Sequence, residues 1–185
     1  MKKIIAFAGS NSSTSINKQL IQYAASLVEN AETEIISLED YEPPVYSIDH
    51  EKEYGSHESV KRLYDKLNEA DGLIISASEH NHGPQAFFKN ILDWLTRVQF
   101  TFLKDEGRKA LEDMPVLLMS TSPGRGGAAD AREKVKYILE VCNAKVIAEF
   151  ELASFNHTAE NGKITDKKLN EELKAGVKKL EEELK

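Results

Sequence analysis

Three short stretches of the chain are apolar at almost every position: Lys3 to Ala8, Gly72 to Ala77 (GLIISA) and Pro115 to Ser120 (PVLLMS). Runs without alternation predict strands covered on both faces, as in a parallel sheet. Two further runs, Glu34 to Leu38 and Lys145 to Leu152, mix in polar residues and predict strands near the sheet edges. Between the runs, apolar positions recur every three or four residues. Ile16, Leu20, Ala24, Leu27 and Val28 line one face of a first helix, and Val60, Leu63, Leu67 and Ala70 that of a second. Phe87, Ile91, Leu95 and Val98 mark a third, and Ala131, Val135, Ile138, Leu139 and Cys142 a fourth. A fifth runs from about Asp166 to the end on Leu169, Leu173, Val177, Leu180 and Leu184, with Lys and Glu residues on its solvated face.

Strands alternating with helices predict an open α/β sheet covered on both sides. In such sheets ligands sit beyond the carboxyl ends of the strands, near the point where strand order reverses. That rule singles out the loops after the first, third and fourth strands, residues 9–17, 78–86 and 121–128.

Composition narrows the function classes. A chain of 185 residues is long enough for one domain with a proper core, so residues 1–185 are read as a single domain. A net charge of -7 with scattered Lys and Arg residues argues against a nucleic-acid partner. The N-terminal apolar run, about six residues, is too short for a signal-peptide core or a membrane span, which gives the expectation of a cytoplasmic protein without membrane attachment. Cys142 is the only cysteine, so an internal disulfide is excluded, and its apolar helical setting suits a packing role.

The first loop, Gly9-Ser10-Asn11-Ser12-Ser13-Thr14-Ser15-Ile16-Asn17, brings hydroxyls and amides to a helix N-terminus, where unpaired N–H groups attract an anion. It reads as a phosphate cradle, with helix capping as the simpler alternative. Gly9 allows a tight exit from the strand or a close approach of backbone to ligand. The loop has neither the lysine of a nucleoside-triphosphate loop nor the spacing of a dinucleotide fingerprint. The second loop, Ser78-Glu79-His80-Asn81-His82-Gly83-Pro84-Gln85, offers acid, imidazole and amide groups. A metal held by His80 and His82 and a polar turn with Pro84 at the first helical position are the alternatives there. The third loop, Thr121-Ser122-Pro123-Gly124-Arg125-Gly126-Gly127-Ala128, sets glycines and one cation before a helix, suited to converging N–H groups or to a plain surface turn.

Together these residues resemble the NADPH-dependent FMN reductase family of flavodoxin-like proteins. The family's phosphate loop, Gly-Ser-x-Arg-x-x-Ser-x-Asn, is matched by Gly9, Ser10, Ser15 and Asn17. Its Glu-Tyr-Asn and Leu-Lys-Asn-Ala-x-Asp-Trp motifs are matched in variant form by Glu79-His80-Asn81 and Phe88-Lys89-Asn90-Ile91-Leu92-Asp93-Trp94. The resemblance implies a flavodoxin-like three-layer α/β sandwich with a five-stranded parallel sheet of order 2-1-3-4-5. It implies FMN held by Ser10, Ser12, Ser15, Ile16 and Asn17 at the phosphate, by Glu79, His80, Asn81, His82 and Gly83 along the isoalloxazine, and by Ser122, Gly124 and Arg125 at the pyrimidine edge. Hydride would pass from NADPH or NADH to FMN and on to a small-molecule acceptor such as a quinone, azo or nitro compound, metal ion or free flavin; no proton-transferring residue and no metal ligand is named. A non-catalytic flavodoxin-like electron carrier and a flavin-free binding module are the rivals.

Three departures from the family pattern stand out: Ser12 replaces the loop arginine, His80 the tyrosine, and Gln85-Ala86 a Pro-Gly pair. Lys18, one residue into the helix, is the nearest substitute cation. The third helix carries apolar residues over roughly 160° of its circumference, more than one side of a sheet requires. The excess predicts packing on another subunit, consistent with the homodimers or homotetramers usual in the family, or cover by an internal insertion that includes Phe100 and Phe102.

Overall fold

The continuous apolar runs do become the middle of a parallel sheet. The computed structural model describes residues 1 to 184. Strands β1 (Lys3–Ala8), β2 (Glu32–Ile35), β3 (Gly72–Ala77), β6 (Pro115–Thr121) and β7 (Lys145–Leu152) form one sheet in the order β2-β1-β3-β6-β7. Every pairing is parallel. With the short hairpin strands β4 (Glu79–His80) and β5 (Gly83–Pro84) set aside, this is the expected 2-1-3-4-5 order. β3 and β6 are buried at every position, whereas the edge strands β2 and β7 keep polar, partly exposed residues.

The second strand was expected at Glu34 to Leu38, and this is corrected: β2 ends at Ile35, and Leu38 opens a short 3-10 turn, Leu38–Tyr41. An edge strand has one neighbour, and the pairing of Lys3 with Glu32 sets its start. Leu38 looked strand-like because it is apolar; it is buried from the loop instead.

Ile5, Phe7, Leu73, Ile75, Val116 and Leu118 point to one face, covered by α3 (Glu58–Leu67), α4 (Ala86–Arg97) and α5 (Ala129–Val141). Ile4, Ala6, Ile74, Leu117 and Met119 point to the other, covered by α1 (Ile16–Ser26) and the C-terminal helix α6 (Lys167–Glu183). The residue at position 185, included in the predicted fifth helix, lies outside the described residues. Cys142 is buried in the first of these cores, and that burial pushes its thiol up to about 11, which keeps it protonated and inert. Among the described residues, no helix is long and apolar enough to cross a membrane.

The broad apolar face of α4 is covered within the chain. Residues 43–54, which include the short helix α2 (Ile48–Tyr54), lie across it as a strap. Asn90 Oδ1 accepts from the Tyr46 N–H at 2.8 Å, and its Nδ2 donates to the carbonyls of Pro43 and Pro44 at 3.2 and 3.1 Å. Trp94 Nε1 donates to the Pro44 carbonyl at 2.8 Å, and the Tyr46 ring meets the Trp94 ring edge-on at 5.1 Å. Arg97 closes the strap with a two-pronged contact to Glu51, both bonds at 2.8 Å. Phe102 packs against Tyr64, while Phe100 stays 57% exposed beneath Arg97. The apolar excess therefore has an internal explanation and gives no support to a second subunit; the strap, rather than Phe100 and Phe102 alone, is the cover.

Candidate functional site

The first loop leaves β1 through Gly9, whose N–H still bonds the Ser76 carbonyl at 2.9 Å. A Cβ at Gly9 would come within 2.2 Å of the Phe88 ring, so glycine is required here by packing against α4. Beyond it the hydroxyls organise the loop. Ser10 Oγ accepts from the Ser12 N–H and Ser12 Oγ from the Thr14 N–H, both at 3.3 Å. Ser15 is the N-cap of α1, its Oγ accepting from the Lys18 N–H. A hydroxyl that accepts from backbone keeps its own hydrogen for donation elsewhere. The first turn of α1 carries no acidic side chain, so the positive end of its dipole is not offset locally.

Two side chains at the end of this loop find their partners elsewhere. The Asn17 side chain is only 5% exposed and turned inward, with Nδ2 3.3 Å from the Thr121 carbonyl and Oδ1 accepting from Ser76 Oγ at 2.7 Å. An amide with buried partners on both sides is held away from the loop surface, which leaves the Asn17 backbone N–H at the start of α1 as its group nearest the loop. Lys18 reaches Glu39 at 2.6 Å instead of the loop. Ile16 is half-buried and packs on the α1 side of the core.

The second loop is a hairpin. β4 and β5 pair antiparallel, His80 opposite Gly83, and the two turn residues Asn81 and His82 have φ of 52° and 59°. Two consecutive left-handed residues are the signature of a type I′ turn. Pro84 thus belongs to β5 opposite Glu79, which rules out the alternative of a turn with Pro84 at the first helical position; Gln85 precedes α4 as its N-cap. Glu79 accepts from the Ala131 N–H at 3.0 Å and so caps α5. His82 Nδ1 lies 2.6 Å from Asp130, and Lys134 donates to the His82 carbonyl. His80 is exposed. Among the described residues, no group of three or more His, Cys, Asp or Glu side chains is arranged to hold a metal ion.

The third loop is tied down by its carbonyls. That of Ser122 accepts from Phe155 N–H at 3.1 Å and that of Gly124 from Ser154 N–H at 2.8 Å. Gly127 and Ala128 follow with φ of 55° and 62°, turning the chain into α5. Arg125 is exposed and is the sole Lys or Arg in the three loops.

Because β1, β3 and β6 are adjacent and parallel, the three loops emerge side by side at one sheet edge. Cross-links join them: Gln85 Nε2 donates to Asn11 Oδ1 at 2.9 Å, Ser78 Oγ donates to the Gly9 carbonyl, and Asn17 spans to β3 and β6. Sequence reasoning missed these ties and the strap. Pro43-Pro44 followed by Ser47, whose Oγ accepts from the Asp49 N–H, was the available signal for a break and a short helix.

A family model described as NADPH-dependent FMN reductase matches residues 2–159. The subunit CrdA of NADH:(hydroxy)cinnamate reductase from Vibrio ruber is 30% identical over 137 residues, which are 74% of this chain and 61% of that protein. A quinone reductase of Escherichia coli is 32% identical over 104 residues, 56% of this chain and 51% of that one. The chain thus spans between half and two thirds of the length of these relatives. Among solved structures, the flavoenzyme NAD(P)H:(acceptor) oxidoreductase FerB from Paracoccus denitrificans superposes with a TM-score of 0.71 at 25% identity, covering 99% of both chains.

Proposed function

Since the chain belongs to the NADPH-dependent FMN reductase family, we propose that it holds FMN across the carboxyl edge of its sheet and passes electrons from NADPH or NADH to a small-molecule acceptor. The observation that carries the reading is the first loop: hydroxyls with hydrogens to donate, no acidic side chain from Ala8 to Asn17, and the α1 N-terminus behind them. That donor set suits a dianionic phosphate.

When bound, FMN supplies the hydride chemistry at its N5 atom. The chain's part is placement and electrostatics. Ser10, Ser12 and Ser15, with the backbone N–H groups of Ile16 and Asn17, hold the phosphate. The backbone of Glu79, His80, Asn81, His82 and Gly83 lies along the isoalloxazine, in a hairpin stiffened by its turn and by the Glu79 cap on α5. Ser122, Gly124 and Arg125 face the pyrimidine edge, where the Arg125 charge opposes the negative charge that accumulates on reduction. The names of the relatives support a quinone or another conjugated organic acceptor. The reading treats residues 1–185 as one domain, includes a cytoplasmic location, where NAD(P)H is regenerated, and assembly as a homodimer or homotetramer.

Multiple-turnover oxidation of NAD(P)H with benzoquinone by the FMN-loaded protein tests it. Sustained turnover supports the reductase, whereas reduction by a protein partner alone would make the protein an electron carrier.

A further inference from the structure

One buried amide joins the strand ends from which the site loops emerge. Asn17, Ser76 and Thr121 are 5%, 0% and 2% exposed. The Thr121 carbonyl can only accept, so the Asn17 nitrogen faces it, which leaves Oδ1 to accept from Ser76 Oγ at 2.7 Å. Thr121 Oγ1 extends the chain by donating to the Leu152 carbonyl at 2.7 Å. A continuous polar path therefore runs from α1 to β3, β6 and β7.

We propose that Asn17 is a positioning residue: its side chain fixes the spacing of the first and third loops and does not itself touch the ligand. The inference rests on the FMN reading above and assigns to Asn17 a role different from the direct phosphate contact suggested by its motif. Asn17 ends the first loop, and Ser122, the first residue of the third loop beyond β6, follows Thr121 directly. One hydrogen bond of 3.3 Å thereby links the end of the phosphate loop to the start of the ring-facing loop. Leu20, Ile21 and Ala24 already seat α1 on the sheet, but apolar contact is non-directional. The amide supplies what that contact lacks, a fixed rotation and axial position for the helix end. Swinging it toward a phosphate would strand Ser76 Oγ without its partner in a buried site.

The test uses Ser76, which is fully buried and cannot reach a ligand. FMN dissociation constants and the visible circular dichroism of bound flavin are measured for wild type, Asn17→Ala, Ser76→Ala and the double variant, at a temperature where each apoprotein is folded by its own melting curve. Asn17→Ala is expected to weaken FMN about tenfold and Ser76→Ala severalfold. The double variant should be no weaker than Asn17→Ala, and the flavin dichroism should change in Ser76→Ala. Wild-type affinity and dichroism in Ser76→Ala would overturn the proposal, whether Asn17→Ala weakens FMN, as a direct ligand would, or leaves it unchanged. If Asn17→Ala does not fold, Ser76→Ala decides alone. A wild-type protein that takes up no FMN would overturn the FMN reading itself, and this proposal with it, a result distinct from a variant that merely matches wild type.

Discussion

An added methyl at Gly9 would lie 2.2 Å from the Phe88 ring, and neither partner has room to move, because Phe88 is 1% exposed in the core. Gly9→Ala is expected to lower stability by about 1–3 kcal/mol in urea unfolding, with recovery when Phe88 is shortened to leucine. The sequence marked Gly9 as special, but the reason lay 79 positions away in a residue that reads simply as helix core. Arg125 shows the opposite case: its loop and charge are both read directly from the sequence, and its side chain is exposed in the loop after β6. Arg125→Ala is expected to lower the FMN midpoint potential in a redox titration, because a cation beside the ring stabilises the reduced form more than the oxidised one. An unchanged potential would remove Arg125 from the mechanism.

At the level of elements, α4 and its strap carry the most consequential difference from expectation. Asn90, Trp94 and Arg97 are spaced four and three apart, so they share one helix face and together capture residues 43–51. Periodicity showed that α4 had more apolar surface than a sheet requires, but periodicity is local and does not say which distant segment covers it. The Glu51 carboxyl is held below the usual carboxylate range, first by its hydrogen bonds from Arg97. A carboxylate with a depressed folded pKa contributes stability above its unfolded value, about 4.3, and loses that contribution as pH falls through the folded value. Glu51→Gln is therefore expected to cost about 1–3 kcal/mol at pH 7, with the variant and wild-type unfolding free energies converging below about pH 4. A pH-independent difference would show that the pair contributes through packing alone.

Across the whole molecule, the central strands were legible because burial on both faces leaves few polar positions, Ser76, Ser120 and Thr121 all falling at the carboxyl ends of β3 and β6. The short edge strand β2 was misplaced because one-sided pairing leaves a weak pattern. The rule that ligands bind at a reversal of strand order located all three loops, since it depends on topology and not on side-chain detail. The ties between loops were hidden because each joins residues far apart in sequence. With Ser12 in place of the family's arginine and Lys18 held by Glu39, the proposed site would leave the phosphate to hydroxyls and N–H groups. FMN affinity should then vary only weakly with ionic strength in fluorescence titrations, whereas a steep fall would reveal a cation at the phosphate.

The central claim, that this sheet edge holds FMN and delivers it to NAD(P)H, is tested most directly by the visible spectrum of the FMN-reconstituted protein, recorded anaerobically before and after one equivalent of NADPH or NADH. The account predicts that the apoprotein takes up FMN with a perturbed flavin spectrum and that the oxidised bands are lost on addition of the nicotinamide. A protein that takes up no FMN, or whose bound flavin keeps its oxidised spectrum with both nucleotides, would contradict it.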